Sequence, residues 1–193
     1  MRRPDPSDPS SAHTTVRPNR KGPTPTHFRF CPNDGTPLVA TRIDGRDRPA
    51  CPKCGFADFM WAQVAANVAV ERDGELLLVK LNYGPRSGLW ALPGGLVEDD
   101  ETTEGAAVRE TEEETGLHVE LDGLLTTWMR PGFPVLVVIY RGHVVGGELR
   151  AAPEEASDVA FFPKSELPSL EDLAWPSTAH GVDAWKAFER PRP

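Results

Sequence analysis

The chain has 193 residues, 39% hydrophobic and 26% charged, with a formal net charge of −8, which suits one soluble domain plus a small accessory module. No run approaches the ~18 apolar residues of a membrane span, and the opening MRRPDPSDPSS has no apolar segment behind its arginines, which speaks against a secretory signal. Residues 1–53 hold ten Lys/Arg against five Asp/Glu and the remainder eleven against twenty-four, an acid excess that excludes simple nucleic-acid coating and suits a site gathering divalent cations.

Residues 1–26 are rich in Pro, Ser, Thr and Arg. They offer too little apolar surface to offset ordering entropy, so a disordered tail is expected. Residues 27–60 carry all three cysteines in a short, turn-rich segment, and residues 61–193 read as an α/β domain. Three cysteines cannot build a disulfide framework. Their spacing points to a metal in a reducing, cytoplasmic setting.

Ala66–Arg72 and Glu75–Asn82 read as a hairpin around Asp73-Gly74. The loop Tyr83-Gly-Pro-Arg-Ser-Gly88 and the apolar run Leu89–Leu92 follow. Thr103–Thr115 reads as a helix, capped by Thr102 or Thr103 and ended by Gly116 in the left-handed conformation. Leu121–Met129, the buried run Val135–Val145 and Val159–Phe162 read as strands. Pro176-Ser177-Thr178 opens a last helix with Val182, Trp185 and Phe188 on one face.

The segment from Gly94 to Leu117 holds nine acids, and Arg109 is its only base. It is either a solvated acidic face or a cation site. Glu110, Glu113 and Glu114 fall on one side of the helix by spacing, where like charges cost roughly 0.2–0.5 kcal/mol per pair. A divalent cation converts that repulsion into coordination, and carboxylate oxygens are what Mg²⁺ prefers. Glu112 points elsewhere.

This segment resembles the Nudix box, G-x5-E-x7-R-E-U-x-E-E-x-G-U with U aliphatic, through Gly95, Glu101, Arg109, Glu110, Glu113, Glu114, Gly116 and Leu117. Thr111 departs from it, standing at an aliphatic position and offering only a methyl. The resemblance implies a Nudix α/β/α sandwich with a mixed sheet. It implies Glu110 and Glu114 as main Mg²⁺ (or Mn²⁺) ligands, Glu113 joining when more than one ion binds, and the Gly94 carbonyl as a backbone ligand. It gives Arg109 the orienting of a box carboxylate, Glu101 a supporting place, and Glu98 an extra-metal position used by some members. Gly95 permits a close backbone approach. A general base for water is still required. Glu154 and Glu155 follow the Gly146-Gly147 turn, and Glu155 is the choice.

Cys31-Pro-Asn-Asp34-Gly35 and Cys51-Pro-Lys-Cys54-Gly55 resemble the two knuckles of a zinc ribbon, with sixteen residues between Asp34 and Cys51. Asp34 stands where a fourth cysteine belongs. A Cys₃Asp zinc site of Cys31, Asp34, Cys51 and Cys54 is expected because a module this small needs a staple, and its role is structural because the Nudix box already accounts for catalysis. Arg29 or Lys53 would offset its charge. The alternative is a ribbon that keeps its shape without metal.

Ribbon, Nudix core and the tail Leu173–Thr178 together are similar to zinc-ribbon Nudix hydrolases of the ADP-ribose/FAD pyrophosphatase kind. The S-Q-P-W-P-F-P run of NADH pyrophosphatases is not found. Trp90, Trp128, Phe133 and Tyr83 are candidates to stack on a nucleobase, although core packing is the commoner use of such rings. Trp61, Trp175 and Trp185 are expected to pack the ribbon or last helix onto the core. The Arg86 loop reads as solvated, and none of the five histidines is given a catalytic role. The expectation is Mg²⁺-dependent hydrolysis of a pyrophosphate linkage in a nucleoside diphosphate compound, with ADP-ribose or FAD ahead of NAD(H) and nucleoside triphosphates. No membrane or nucleic-acid partner is expected, and a homodimer is an option. A nucleotide-sensing regulator that binds nucleic acid or protein through its ribbon and basic tail is the competing reading.

Overall fold

A computed structural model of the chain describes residues 28–59 and 61–188. The expected tail over 1–26 lies outside the described residues.

The cysteine segment contains a two-stranded antiparallel hairpin, β1 (Val39–Ile43) and β2 (Arg46–Ala50). Asp44 and Gly45 turn it with φ of 50° and 74°, the left-handed pair that matches strand twist in a two-residue turn. From sequence only turns are expected here. The strand pattern is hidden because most side chains of the hairpin face solvent.

From residue 63 the chain builds one mixed sheet. β3 (Gln63–Arg72) and β4 (Glu75–Leu81) form the expected hairpin around Asp73-Gly74. They pair only beside the turn, Glu71 with Leu76 and Arg72 with Glu75. Beyond it they part. β6 (Gly94–Leu96) takes over the same edge of β3, opposite Ala65–Asn67. β4 goes on to pair with β5 (Trp90–Ala91) and β9 (Ala156–Pro163). The other edge of β3 runs parallel to β8 (Phe133–Gly147), which pairs antiparallel with β7 (Leu117–Arg130). The parting of β3 from β4 makes the opening through which Gly94 and Gly95 enter the sheet. At the far edge, repeated register shifts along β7 interrupt its ladder and blunt an otherwise long free strand.

α1 (Thr103–Thr115) covers one face, where Ala106 and Ala107 pack on Ala66, Val68, Val70 and Leu77. α2 (Pro176–Ala187) covers the other, where Val182 and Trp185 meet Leu76, Leu78, Leu92 and Ile139. The result is an α/β/α sandwich. It explains the unbroken apolar run of β4: successive side chains point to opposite faces, and both faces are covered. Leu76, Leu77 and Leu78 are all fully buried, each stabilising the fold by roughly 1.5–3 kcal/mol.

Two packing expectations need correction. Helix α2 ends at Ala187, so Phe188 does not continue the Val182–Trp185 face. Its backbone is extended, and its ring lies 3.9 Å beneath the Arg141 guanidinium. Trp61 does not pack the ribbon onto the core. It sits just before β3, 82% exposed.

Candidate active site and metal centres

The two ends of α1 are each fixed by a local device. Thr102 Oγ1 accepts the Gly105 N–H at 3.1 Å, and Gly116, at φ 70°, ends the helix in the left-handed conformation that glycine adopts without strain. Thr111, at the departing box position, is wholly buried. Its hydroxyl donates to the Ala107 carbonyl at 2.7 Å, so the extra oxygen is satisfied within the helix.

Arg109 organises the exposed side of the site. Its Nε and Nη2 donate to both Glu101 oxygens at 3.0 and 2.6 Å, a two-point fork. Its Nη1 donates to Glu110 at 2.9 Å and to Glu113 at 3.1 Å. The Arg109 guanidinium, helped by the Glu98 N–H, holds the Glu101 carboxyl down to about 2. Arg109 thus orients three carboxylates, where the resemblance alone implies one.

The inner side gathers carboxylates. Oxygens of Glu110, Glu114 and Glu155 all lie within 4.8 Å of one another. Glu114 is only 4% exposed, and the Gly94 N–H donates to its Oε2 at 2.9 Å. Burial pushes its carboxyl up to about 8, and the charges of Glu110, Glu155 and Glu113 add to that push against the Gly94 N–H. Burial also raises Glu110, against the pull of Arg109. Three converging carboxylates, one of them deeply buried, are a donor set that fits a hard divalent cation.

Glu113 stays outside this group. Its side chain is 55% exposed and turned toward Arg109. Helix geometry explains the division: relative to Glu110, Glu114 is rotated by about 40° one way and Glu113 by about 60° the other. The sheet lies on the Glu114 side. Glu112 is exposed and pairs with His118 at 3.2 Å. Glu154 and Glu98 are not among the grouped carboxylates, and Glu98 contributes its N–H to Glu101 at 3.0 Å.

Glu155 reaches the site by a route that the sequence does not display. The last carbonyls of α1, those of Glu114, Thr115 and Gly116, accept the N–H groups of Ala152, Arg150 and Glu148 at 3.2, 2.9 and 3.1 Å. The segment that caps the helix end therefore delivers Glu155 to the side chains of that same helix. Asn67 is a supporting residue that the sequence reading overlooks. Its Nδ2 lies 3.1 and 3.3 Å from the Leu92 and Pro93 carbonyls, just ahead of Gly94. An asparagine in the middle of the apolar strand β3 is the signal for it.

The four ribbon residues also converge. One ligand atom from each of Cys31, Asp34, Cys51 and Cys54 lies within 4.8 Å of the others. The two knuckles repeat one hydrogen-bond pattern: Gly35 N–H to Cys31 O and Gly55 N–H to Cys51 O at 2.9 and 3.1 Å. Lys53 and Cys54 N–H groups face Cys51 Sγ at 3.4 and 3.5 Å, and Asn33 Nδ2 reaches Cys54 Sγ at 3.7 Å. Cys31 and Cys54 sulfurs are 3.4 Å apart. Burial pushes the Cys31 thiol up to about 11, whereas the Phe56 N–H lowers Cys54. Three sulfurs and a carboxylate in this arrangement fit a tetrahedral zinc site.

Of the candidate stacking rings, Trp90 meets Phe162 edge-on at 4.9 Å, and Trp128 meets Phe133 at 5.6 Å. The Arg86 guanidinium lies 5.1 Å from the Trp175 ring. Among the described residues no helix is long and apolar enough to cross a membrane.

Comparisons with known proteins place the chain in one family. The NUDIX domain model matches residues 61–184. An ADP-ribose pyrophosphatase of Methanocaldococcus jannaschii is 38% identical over 116 residues, covering 58% of this chain and 68% of that protein. The NAD-capped RNA hydrolase NudC of Stutzerimonas stutzeri is 30% identical over 146 residues, which is 75% of this chain but only 51% of the relative's length. The crystal structure of a NUDIX hydrolase from Nitrosomonas europaea superposes with a TM-score of 0.73 at 26% identity, covering 80% of this chain and 88% of that one. The chain belongs to the Nudix family.

Proposed function

We propose that the chain hydrolyses the pyrophosphate linkage of a nucleoside diphosphate joined to a second moiety, using Mg²⁺ or Mn²⁺, with ADP-ribose the first candidate and FAD the second. The observation that carries this reading is the convergence of Glu110, Glu114 and Glu155 on one small volume. The named activity of the Methanocaldococcus jannaschii relative supports ADP-ribose over the other substrates.

Glu110 and Glu114 would hold the divalent cation, with the Glu155 carboxylate close enough to strengthen its binding. When bound, the ion screens the diphosphate charge, orients it and acidifies a bound water. Glu155 comes from a different segment than its two neighbours and is the carboxylate assigned to take the proton from the attacking water. Glu113 keeps the outer position, available when a further ion binds. Arg109 and Glu101 fix the orientation of Glu110. The ribbon residues Cys31, Asp34, Cys51 and Cys54 would hold a structural zinc, and reduced ligating thiols suit the cytoplasm.

The test is a hydrolysis panel of ADP-ribose, FAD, NADH, nucleotide sugars and nucleoside triphosphates with Mg²⁺ or Mn²⁺, products identified by mass spectrometry. ADP-ribose should yield AMP and ribose 5-phosphate. Triphosphates cleaved in preference to every linked diphosphate would overturn the substrate class, and no product from any of them would overturn the activity.

A further inference from the structure

Glu155 sits on a turn whose own hydrogen bonds are local. Its N–H and that of Ala156 both donate to the Ala152 carbonyl, at 2.9 and 2.8 Å. Such a turn fixes its internal shape but not its height above the site. One side of it is tied to α1 through Ala152. The other side meets the end of β4.

The regular ladder between β4 and β9 ends there. Its register shifts between Lys80 and Leu81, with Lys80 opposite Asp158 and Leu81 opposite Ala156. One residue further on, Asn82 takes up the turn twice. Its backbone N–H donates to the Glu155 carbonyl at 3.0 Å. Its side-chain Nδ2 donates to the Pro153 carbonyl at 2.6 Å. The two bonds flank Glu154 and hold the backbone on either side of it. The backbone bond could be made by most residues. The side-chain bond needs an amide donor: Asp would present an oxygen to the Pro153 carbonyl, and Ala would present nothing.

We infer that Asn82 is a positioning residue, clamping the 153–155 turn to the end of β4 so that the Glu155 carboxylate stays with those of Glu110 and Glu114. It touches no reacting atom and works through Glu155. The inference rests on the proposed assignment of Glu155 to the active site. Asn82 is exposed, so its truncation leaves no cavity in the core and the fold should survive.

The experiment is a double-mutant cycle of Asn82→Ala and Glu155→Gln, with Asn82→Gln as the conservative variant. Asn82→Ala should lower kcat for ADP-ribose about tenfold while KM changes less than about twofold, the pattern of a displaced catalytic group. In the Glu155→Gln background the same change should have almost no further effect, because the residue it positions is already disabled. Asn82→Gln, which keeps a donor amide, should recover most of the loss. Mn²⁺ titrated into the substrate-free protein and followed by electron paramagnetic resonance should bind more weakly in Asn82→Ala, and melting curves should overlay. Equal kcat losses from Asn82→Ala in both backgrounds would overturn the inference, as would wild-type turnover and Mn²⁺ binding in Asn82→Ala. If Glu155→Gln were itself fully active, the assignment of Glu155 would fall first and the inference with it. If Asn82→Ala should not fold, Asn82→Ser carries the same comparison.

Discussion

Gly95 lies flat against the carboxylate of Glu110, so close that a methyl on its Cα would overlap the carboxylate carbon and both oxygens. The backbone at Gly95 cannot retreat, because β6 is paired there with Ala66 of β3. The flexible end of Glu110 must give way instead. Gly95→Ala is therefore expected to cost activity rather than fold. Turnover should fall about 100-fold from displacement of the ligand, while the melting temperature stays within about 4 °C, near 1 kcal/mol. Calorimetry alongside steady-state kinetics checks both. Unchanged turnover would mean that Glu110 is not needed where it stands.

Arg109→Lys removes the planar fork while keeping the charge. Lysine cannot satisfy both Glu101 oxygens and still reach Glu110 and Glu113. Turnover should fall at least about tenfold, with a loss of stability that depends on pH. The Arg109 guanidinium depresses Glu101 to about 2 from an ordinary 4.5. Its stabilisation is thus complete above 4.5 and disappears as pH falls toward 2. The gap in melting temperature between wild type and Arg109→Lys should be widest near neutrality and narrow across that acid window. A gap constant with pH would show that the pair does not govern it.

Glu114 gives the opposite sign. Its carboxyl is raised from 4.5 to about 8 by burial, so the metal-free fold is favoured while Glu114 is protonated. That advantage is lost as pH climbs from 4.5 through 8. Metal-free protein should melt at progressively lower temperature over this range. Mg²⁺ should flatten the decline, because the ion supplies the charge that burial withholds. Glu114→Gln should show neither the decline nor the Mg²⁺ effect from this residue. Melting curves at several pH values, with and without EDTA, test all three statements.

What was legible in the sequence follows from what is local. Helix α1 announces itself through Thr102, Gly116 and acids spaced by turns of the helix, and the Asp73-Gly74 hairpin through its turn residues. Strand β6 does not: Gly94–Leu96 is three residues long, carries almost no side-chain pattern, and is a strand only because β3 and β4 part beside it. The same non-local fact separates Glu114 from Glu113. Helical spacing puts both near Glu110, and only the position of the sheet decides which is buried. Glu154 and Glu155 are neighbours of equal chemistry, and the grip of α1 and β4 on the turn selects between them.

Asp34 is where the ribbon departs from four cysteines, and it supplies the last test. Its Oδ1 accepts the Thr36 N–H at 2.9 Å, a bond that lowers its pKa and keeps the carboxylate charged. Both oxygens lie 3.8 Å from Cys51 Sγ. An oxygen in place of a thiolate should hold zinc less tightly than a sulfur would, since zinc favours the softer donor. Wild-type protein purified with its cysteines reduced should carry close to one zinc per chain. Asp34→Ala should lose it to a chromogenic chelator faster than wild type, and Asp34→Cys more slowly. Thiol titration should find the three cysteines protected in loaded protein and reactive after chelation. Stripping zinc should lower the melting temperature, because the small hairpin module has little core of its own. Hydrolysis should change less than about threefold in Asp34→Ala, since zinc at a closed four-ligand site offers no open position to a substrate. Wild-type protein that retains no metal with free thiols would make the ribbon a scaffold without zinc, and a large loss of turnover in Asp34→Ala at full Mg²⁺ occupancy would tie the ribbon to the reaction itself.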